Sequence, residues 1–134
     1  MRSDTQSVTM EVPVDQVFAM VADPSRLPEW AIGFAQAVTP RSGGGWTVRT
    51  GTGEVALEVE SDKARGTVDF HIQPAPGMTV VAWSRVVGDD RHSVFLFTQV
   101  QPSEMPDEVF DAQVEALRHE LSVLKARLEV RCPT

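Results

Sequence analysis

Asp69 and His71 are the first pair of side chains in this sequence that could carry out chemistry. They lie two residues apart in the alternating stretch GTVDFHI, so in a β-strand they point to the same side and could act as an acid and a base. Glu58 and Glu60 occupy the corresponding face of the preceding strand pattern. Because a polar face of this kind is usually solvated, the pattern leaves both a catalytic pair and an exposed surface open.

Trp83 and Arg85 form a second candidate site, two residues apart in MTVVAWSRVV. If residues 74–77 form a four-residue loop, Phe70 pairs with Val81, and Trp83 and Arg85 then face the protein interior. A buried arginine beside an aromatic ring suits a carboxylate, a phenolate or an enolate. A change of one residue in that turn reverses the facing, and Arg85 would then extend over the sheet edge into solvent.

The remaining histidine, cysteine, glycine and serine residues lack the spacing that metal binding, phosphate binding or nucleophilic catalysis needs. The three histidines and one cysteine form no HxH, HExxH or CxxC motif, so we expect no metal and no cofactor. The glycine runs SGGGW and GTGEV lack the ending of a phosphate-binding loop, and no GxSxG motif is present. Cys132 has no partner for an internal disulfide. The sequence therefore favours noncovalent binding or acid/base chemistry.

Length and charge restrict the classes of partner. A chain of 134 residues fits one domain, and we expect residues 1–134 to form it. Nineteen acidic and twelve basic residues give a net charge of -7, which repels phosphate backbones and anionic headgroups. We therefore expect neither nucleic acid nor membrane insertion. Since the N-terminal stretch MRSDTQSV is polar and no run resembles a membrane span, we expect a cytoplasmic protein.

The pattern around these residues predicts an α+β protein. SVTMEVPV alternates as a strand, and QVFAMVA and SRLPEWA predict two short helices separated at Pro24. From there to residue 102, alternating segments predict about six antiparallel strands. After Pro106, apolar residues recur at steps of four and three, which predicts an amphipathic helix of about 23 residues. Its apolar stripe consists of Phe110, Val114, Leu117, Leu121, Leu124 and Leu128.

This long helix must lie across the sheet, because a twisted sheet cannot bury its apolar face alone. A space is then left between helix and sheet. The order of elements resembles the START-like superfamily, also called SRPBCC or the helix-grip fold. The segments that carry the resemblance are VTMEVPVDQVFAMVADPSRLPEW, GTVDFH, RVVGDDRHSVFLFTQVQPSEMPDEVF and LSVLKARLE, which are similar to its bacterial polyketide cyclase/dehydrase-like branch.

The chain departs from that branch at two places. Glu104, Met105 and Pro106 stand where the branch usually has a glycine and a small helix-capping residue. Phe70 separates Asp69 from His71, whereas the branch usually has histidine directly after the aspartate. A role that this histidine has elsewhere in the branch is therefore not transferred to His71.

The resemblance implies that a ligand enters between the short helices and the sheet, at the corner that carries Trp30. Trp30 would then line the mouth of a cavity, or act as a hydrophobic plug that fixes the short helices to the core, and the two roles are compatible. The expected lining is mainly aromatic, with one cation: Trp30, Phe34, Phe70, Trp83, Arg85 and Leu117.

Three functions remain open from the sequence. The first is binding of a hydrophobic or aromatic small molecule in the cavity, with a few polar groups that fix its orientation. The second is a polyketide cyclase or dehydratase, in which Arg85 would stabilise an enolate beside an acid or base. The third is a ligand-free protein-interaction module, which would have a collapsed cavity and an exposed apolar patch.

Overall fold

A seven-stranded sheet and one long helix dominate the computed structural model, which describes residues 1–131. The predicted terminal thiol, Cys132, lies outside the described residues. The elements, in chain order, are β1 (Ser3–Met10), α1 (Val14–Val21), a single 3-10 turn (Pro24–Arg26), α2 (Leu27–Trp30), β2 (Ala37–Pro40), β3 (Trp46–Thr50), β4 (Gly53–Asp62), β5 (Thr67–Ala75), β6 (Met78–Gly88), β7 (Ser93–Val100) and α3 (Asp107–Arg131).

The sheet is antiparallel throughout and has the order β1-β7-β6-β5-β4-β3-β2. Its inner face is apolar and its outer face is largely polar, as the period-2 pattern predicts. The predicted α+β helix-grip fold, with two short helices after the first strand, is confirmed. None of the helices within residues 1–131 combines the length and the apolar character needed to cross a membrane.

The long helix α3 covers the inner face of the sheet and is attached near both of its ends. Near its start, Arg2 Nη2 donates a hydrogen bond to Asp111 Oδ1 at 2.6 Å. Near its other end, Lys125 Nζ donates to the Thr9 carbonyl oxygen at 2.8 Å. Lys125 also donates to Glu129 at 2.8 Å, and this hydrogen bond lowers the pKa of Glu129. Between these two contacts, Gln6 Nε2 of β1 also donates a hydrogen bond to the Val114 carbonyl oxygen at 2.9 Å.

The turn between β5 and β6 is shorter than the sequence suggests. Ala75 pairs with Met78, so only residues 76–77 lie outside the ladder, and the register shifts by one between Ile72 and Ala75. This two-residue turn and β-bulge replace the expected four-residue loop. A bulge adds one residue to one strand only, so it changes the pairing of every residue beyond it.

As a result, the predicted pairing of Phe70 with Val81 is wrong: Phe70 pairs with Ala82. Side chains on a strand alternate between faces, so a slip of one residue moves each one to the opposite face. Trp83 and Arg85 therefore lie on the outer face of the sheet, and Trp83 is 47% exposed. Phe70, by contrast, is buried on the inner face.

Candidate functional site

A cavity of about 450 Å³ lies between the middle of α3, the segment around α2 and the inner face of the sheet. Its apolar lining includes Leu27, Trp30, Phe34, Val55, Phe70, Ile72, Ala82, Phe97 and Leu117. Its polar lining consists of Thr50, Thr52, Gln99, Gln113 and Glu120. The volume lies within the usual range for small-molecule sites, and so does the predominance of apolar side chains.

Four of the six predicted lining residues surround this cavity: Trp30, Phe34, Phe70 and Leu117. Trp30 is only 2% exposed and packs edge-on against Phe95, with 5.8 Å between the ring centroids. It is therefore both a plug of the core and part of the cavity wall. Its indole nitrogen is buried and has no hydrogen-bond partner within residues 1–131. Ligand binding by these four residues stays a prediction.

Arg85 and Trp83 lie on the other side of the sheet, which corrects the expectation that they face the cavity. Arg85 Nε donates a hydrogen bond to the Arg65 carbonyl oxygen at 3.0 Å, on the outer face. Trp83 pairs with Asp69 on β5 and with Thr98 on β7. The bulge described above is the physical reason, since it reverses the facing of both residues. Neither residue can contact a ligand inside the cavity from this face.

Asp69 and His71 also lie on the outer face, opposite Glu60 and Glu58 respectively. His71 Nε2 is 3.1 Å from Glu60 Oε1. The shared face follows from the predicted alternation, and neither residue lines the cavity. The structure therefore separates all three sequence candidates for catalysis, Asp69, His71 and Arg85, from the enclosed space.

Glu120 is the cavity residue that the sequence analysis missed. It lies on α3, is 7% exposed, and accepts a hydrogen bond from the Gly33 backbone N–H at 2.9 Å. Burial raises the pKa of its carboxyl group to about 7, although the backbone N–H groups of Gly33 and Phe34 act in the opposite direction. Among the described residues that line the cavity, Glu120 is the single ionisable group.

The sequence did contain a signal for Glu120. It follows Leu117 by three residues and precedes Leu124 by four, so it lies on the same helical face as the apolar stripe. A charged residue inside such a stripe is rarely buried without a reason, because burying its ionised form is costly. Within residues 1–131, no group of three His, Cys, Asp or Glu side chains could hold a metal ion.

The fold and the cavity together define the class of protein: a START-like helix-grip domain with a largely apolar cavity between its sheet and its long helix. The sequence matches the family described as "Polyketide cyclase / dehydrase and lipid transport" over residues 1–129. The chain therefore belongs to this family, and the resemblance stated above is confirmed. No curated protein matches this sequence.

Solved structures support the same fold. Protein XoxI from Bacillus cereus has a TM-score of 0.78 at 16% identity, with 99% of this chain and 100% of that chain covered. A START superfamily protein from Mycobacterium smegmatis has a TM-score of 0.69 at 13% identity, with 97% and 99% covered. The di-domain ARO/CYC BexL from the BE-7585A biosynthetic pathway has a TM-score of 0.74 at 18% identity, with 99% and 48% covered. At these identities the similarity is one of fold alone.

Proposed function

We propose that this protein binds a small hydrophobic or aromatic molecule in the cavity between the sheet and α3. The observation that carries the proposal is a mainly apolar cavity of about 450 Å³ with a single buried carboxyl group, Glu120. The proposal keeps the cytoplasm as the location and excludes nucleic acid as a partner. The net charge of -7 supports that exclusion.

The physical basis of binding would be removal of apolar ligand surface from water. Phe34, Phe70 and Leu117 supply apolar walls from three different parts of the fold. The polar side chains are few, which is typical of sites where hydrogen bonds set orientation and apolar contact supplies most of the affinity. The cavity is open and not collapsed, so the geometry favours ligand binding over the interaction-module alternative.

A fluorescence titration tests this proposal. The probe is N-phenyl-1-naphthylamine, a neutral dye whose emission rises in apolar surroundings. Ala82→Leu places a larger side chain in the cavity, because Ala82 lines it from β6. Ala56→Leu is the matched control, because Ala56 alternates with buried Leu57 and so lies on the outer face of β4.

We expect the dye to bind the unmodified protein and the Ala56→Leu variant equally well. Ala82→Leu should weaken dye binding by about tenfold or more, because the leucine side chain occupies cavity volume and so removes apolar contact between the dye and the cavity walls. If Ala82→Leu binds the dye as well as Ala56→Leu does, the cavity is not the binding site. Native mass spectrometry of gently purified protein would then identify any molecule that the protein retains.

A second candidate function is acid/base catalysis in the same cavity, as in a cyclase or dehydratase. The observation that favours it is the pKa of about 7 for the Glu120 carboxyl group, which lets the group take up and release a proton near neutral pH. Glu120 would supply the acid or base that the sequence suggested in Asp69 and His71, whereas the enolate-stabilising role expected for Arg85 has no candidate, because Arg85 lies outside the cavity.

Turnover of a poly-β-keto mimic tests the catalytic candidate. Glu120→Gln should abolish turnover, whereas Glu108→Gln, which removes an exposed carboxylate from the same helix, should leave it unchanged. If Glu120 acts as a base, the rate should rise with pH through about 7. Turnover that survives Glu120→Gln would remove this residue from the mechanism.

A further inference from the structure

We propose that the cavity selects its ligand by charge: it prefers an apolar molecule with a hydrogen-bond donor, a protonated amine above an alcohol, and an alcohol above a carboxylate. This inference rests on the proposed function and names the ligand class of the same site. It reverses the expectation from sequence, in which Arg85 would bind an anion.

The charged side chains around the cavity disfavour an anionic ligand. No cationic side chain belongs to the described lining, and Glu120 is its one ionisable group. On the α2 side, Arg26 Nε pairs with Glu29 Oε2 at 3.1 Å, and neither residue lines the cavity. An anionic ligand would therefore meet no compensating positive charge in the described lining.

The groups that share the cavity with Glu120 are neutral. The backbone N–H groups of Gly33 and Phe34 act on its carboxyl group, and the other polar side chains of the lining are Thr50, Thr52, Gln99 and Gln113. Behind Gln99 lies an acid of β1, Asp4, whose Oδ2 is 3.5 Å from Gln99 Nε2. On α3 itself, Arg118 and His119 are exposed and do not line the cavity.

The hydrogen-bonding capacity of Glu120 favours a ligand that carries a donor. A carboxylate accepts hydrogen bonds at about four lone-pair positions. Backbone N–H groups from the segment 31–36 use part of this capacity, with Gly33 N at 2.9 Å from Oε2. A ligand N–H or O–H donor could use the remainder. A buried carboxylate without a counter-charge is costly, so a protonated amine would offset more of that cost than a neutral hydroxyl would.

Repulsion from Glu120 disfavours a ligand that carries a carboxylate. A ligand carboxylate in this cavity would place a second negative charge close to Glu120 in a region of low dielectric constant. Two like charges in such surroundings cannot both remain ionised without a large penalty, so one must take up a proton or the ligand must leave. Carboxylates should therefore bind weakly, and best at low pH, where Glu120 is protonated.

The pH dependence of binding should distinguish the same ligands. With a pKa of about 7, the ionised fraction of Glu120 rises from about one tenth at pH 6 to about nine tenths at pH 8. An arylmethylamine stays protonated over this range. Its affinity should therefore rise by about tenfold or somewhat less, while the affinity of a neutral alcohol should change little.

The experiment compares three ligands with the same ring system: 1-naphthylmethylamine, 1-naphthalenemethanol and 1-naphthoic acid. Each is titrated against bound N-phenyl-1-naphthylamine at pH 8 and at pH 6. The proteins are the unmodified chain, Glu120→Gln and Glu108→Gln. Glu120→Gln keeps an oxygen that can accept from Gly33 N–H, and Glu108→Gln removes an exposed charge from the same helix.

At pH 8 we expect the amine to bind about tenfold or more tightly than the acid, with the alcohol between them. Glu120→Gln should reduce amine affinity by about tenfold and leave alcohol affinity within about threefold, whereas Glu108→Gln should change neither. If the acid binds as tightly as the amine, or if Glu120→Gln keeps the amine preference, the charge selection is overturned while the proposed function stands. If neither the dye nor any of the three ligands binds, the proposed function itself fails.

Discussion

Glu120 places a carboxyl group where its ionised form is poorly solvated. Water stabilises a carboxylate better than an apolar cavity does, so burial favours the protonated form and raises the pKa. The N–H groups of Gly33 and Phe34 offset part of this effect, and the result is a pKa of about 7 against an ordinary value of 4.5. Ionised Glu120 therefore lowers the stability of the folded protein, and its carboxyl group can exchange a proton near neutral pH.

This cost gives the residue-scale prediction. Between about pH 4.5 and pH 7 the folded state holds a proton on Glu120 that the unfolded state has released. The free energy of unfolding therefore keeps its full contribution from protonated Glu120 below pH 4.5. This contribution disappears as the pH rises through 7, because the folded protein must then hold a buried carboxylate. Over that range the loss amounts to about 3 kcal/mol. Glu120→Gln lacks this dependence, so relative to the unmodified protein it should gain about 3 kcal/mol between pH 4.5 and pH 8.

Urea unfolding of both proteins at about pH 4.5 and pH 8 measures this gain, because the contributions of all other titrating groups cancel in the difference. Glu108→Gln serves as the control, since it removes an exposed carboxylate and should track the unmodified protein. A stability difference between Glu120→Gln and the unmodified protein that is the same at both pH values would show that Glu120 has an ordinary pKa.

At the scale of elements, the turn between β4 and β5 depends on close contact with β6. Gly66 has a φ of +74° and accepts a hydrogen bond from Val86 N–H at 2.8 Å. A Cβ atom at this position would lie 2.2 Å from the Val86 carbonyl oxygen, which is backbone and cannot rotate away. Gly66→Ala must therefore displace the turn or the strand.

Gly43 is a matched control, because it has a similar φ of +89° but no atom within 4 Å of an added Cβ. Gly43→Ala should cost about 1 kcal/mol, which is the conformational penalty alone. Gly66→Ala should cost at least about 2 kcal/mol more, because the steric displacement is added. Urea unfolding of the two variants tests this difference, and equal losses would mean that the Gly66 turn can move freely.

The same scale explains what the sequence could predict. The elements follow from local periodicity, so α3 and the antiparallel strands are predicted, and the apolar faces are predicted correctly for α3 and for strands such as β4 and β5 but not for β6. The facing of β6 depends on a one-residue bulge before Ala75, and no local pattern in QPAPGM indicates this bulge. Phe70 was placed correctly because its own strand alternates clearly, whereas Trp83 and Arg85 depended on the turn.

Part of the cavity lining can be predicted from the sequence because it does not depend on how the strands pair. Trp30, Phe34 and Leu117 line the cavity through helical or loop positions that do not depend on strand register. Glu120 is not predicted by apolar periodicity, because an acidic residue does not contribute to the apolar stripe of α3. Its burial is a tertiary property: it results from the packing of segment 31–36 against the middle of α3, where Gly33 lies beside Ala116.

At the scale of the whole molecule, α3 is hydrogen-bonded to the N-terminal strand region near both of its ends and at Val114, and it forms one wall of the cavity. Arg2 and Lys125 make the terminal contacts, at 2.6 Å to Asp111 and 2.8 Å to Thr9. Between them, Gln6 Nε2 of β1 donates a hydrogen bond to the Val114 carbonyl oxygen at 2.9 Å, and the cavity separates α3 from the strands farther along the sheet. A cavity forfeits dispersion contacts on every wall, so keeping it open lowers the stability of the fold.

The last prediction follows from this cost. Ala82→Leu adds three carbon atoms to the wall of a cavity of about 450 Å³, and we expect them to fit without displacing the other walls. Burial of that apolar volume should raise the free energy of unfolding by about 2 kcal/mol. Ala56→Leu, on the outer face, should change it by no more than about 0.5 kcal/mol. Urea unfolding, run beside the dye titration, should therefore find higher stability and weaker binding in the same variant. Lower stability in Ala82→Leu would mean that the cavity has no free space beside Ala82. The added carbon atoms would then displace the walls, and filling the cavity at this position would not stabilise the fold.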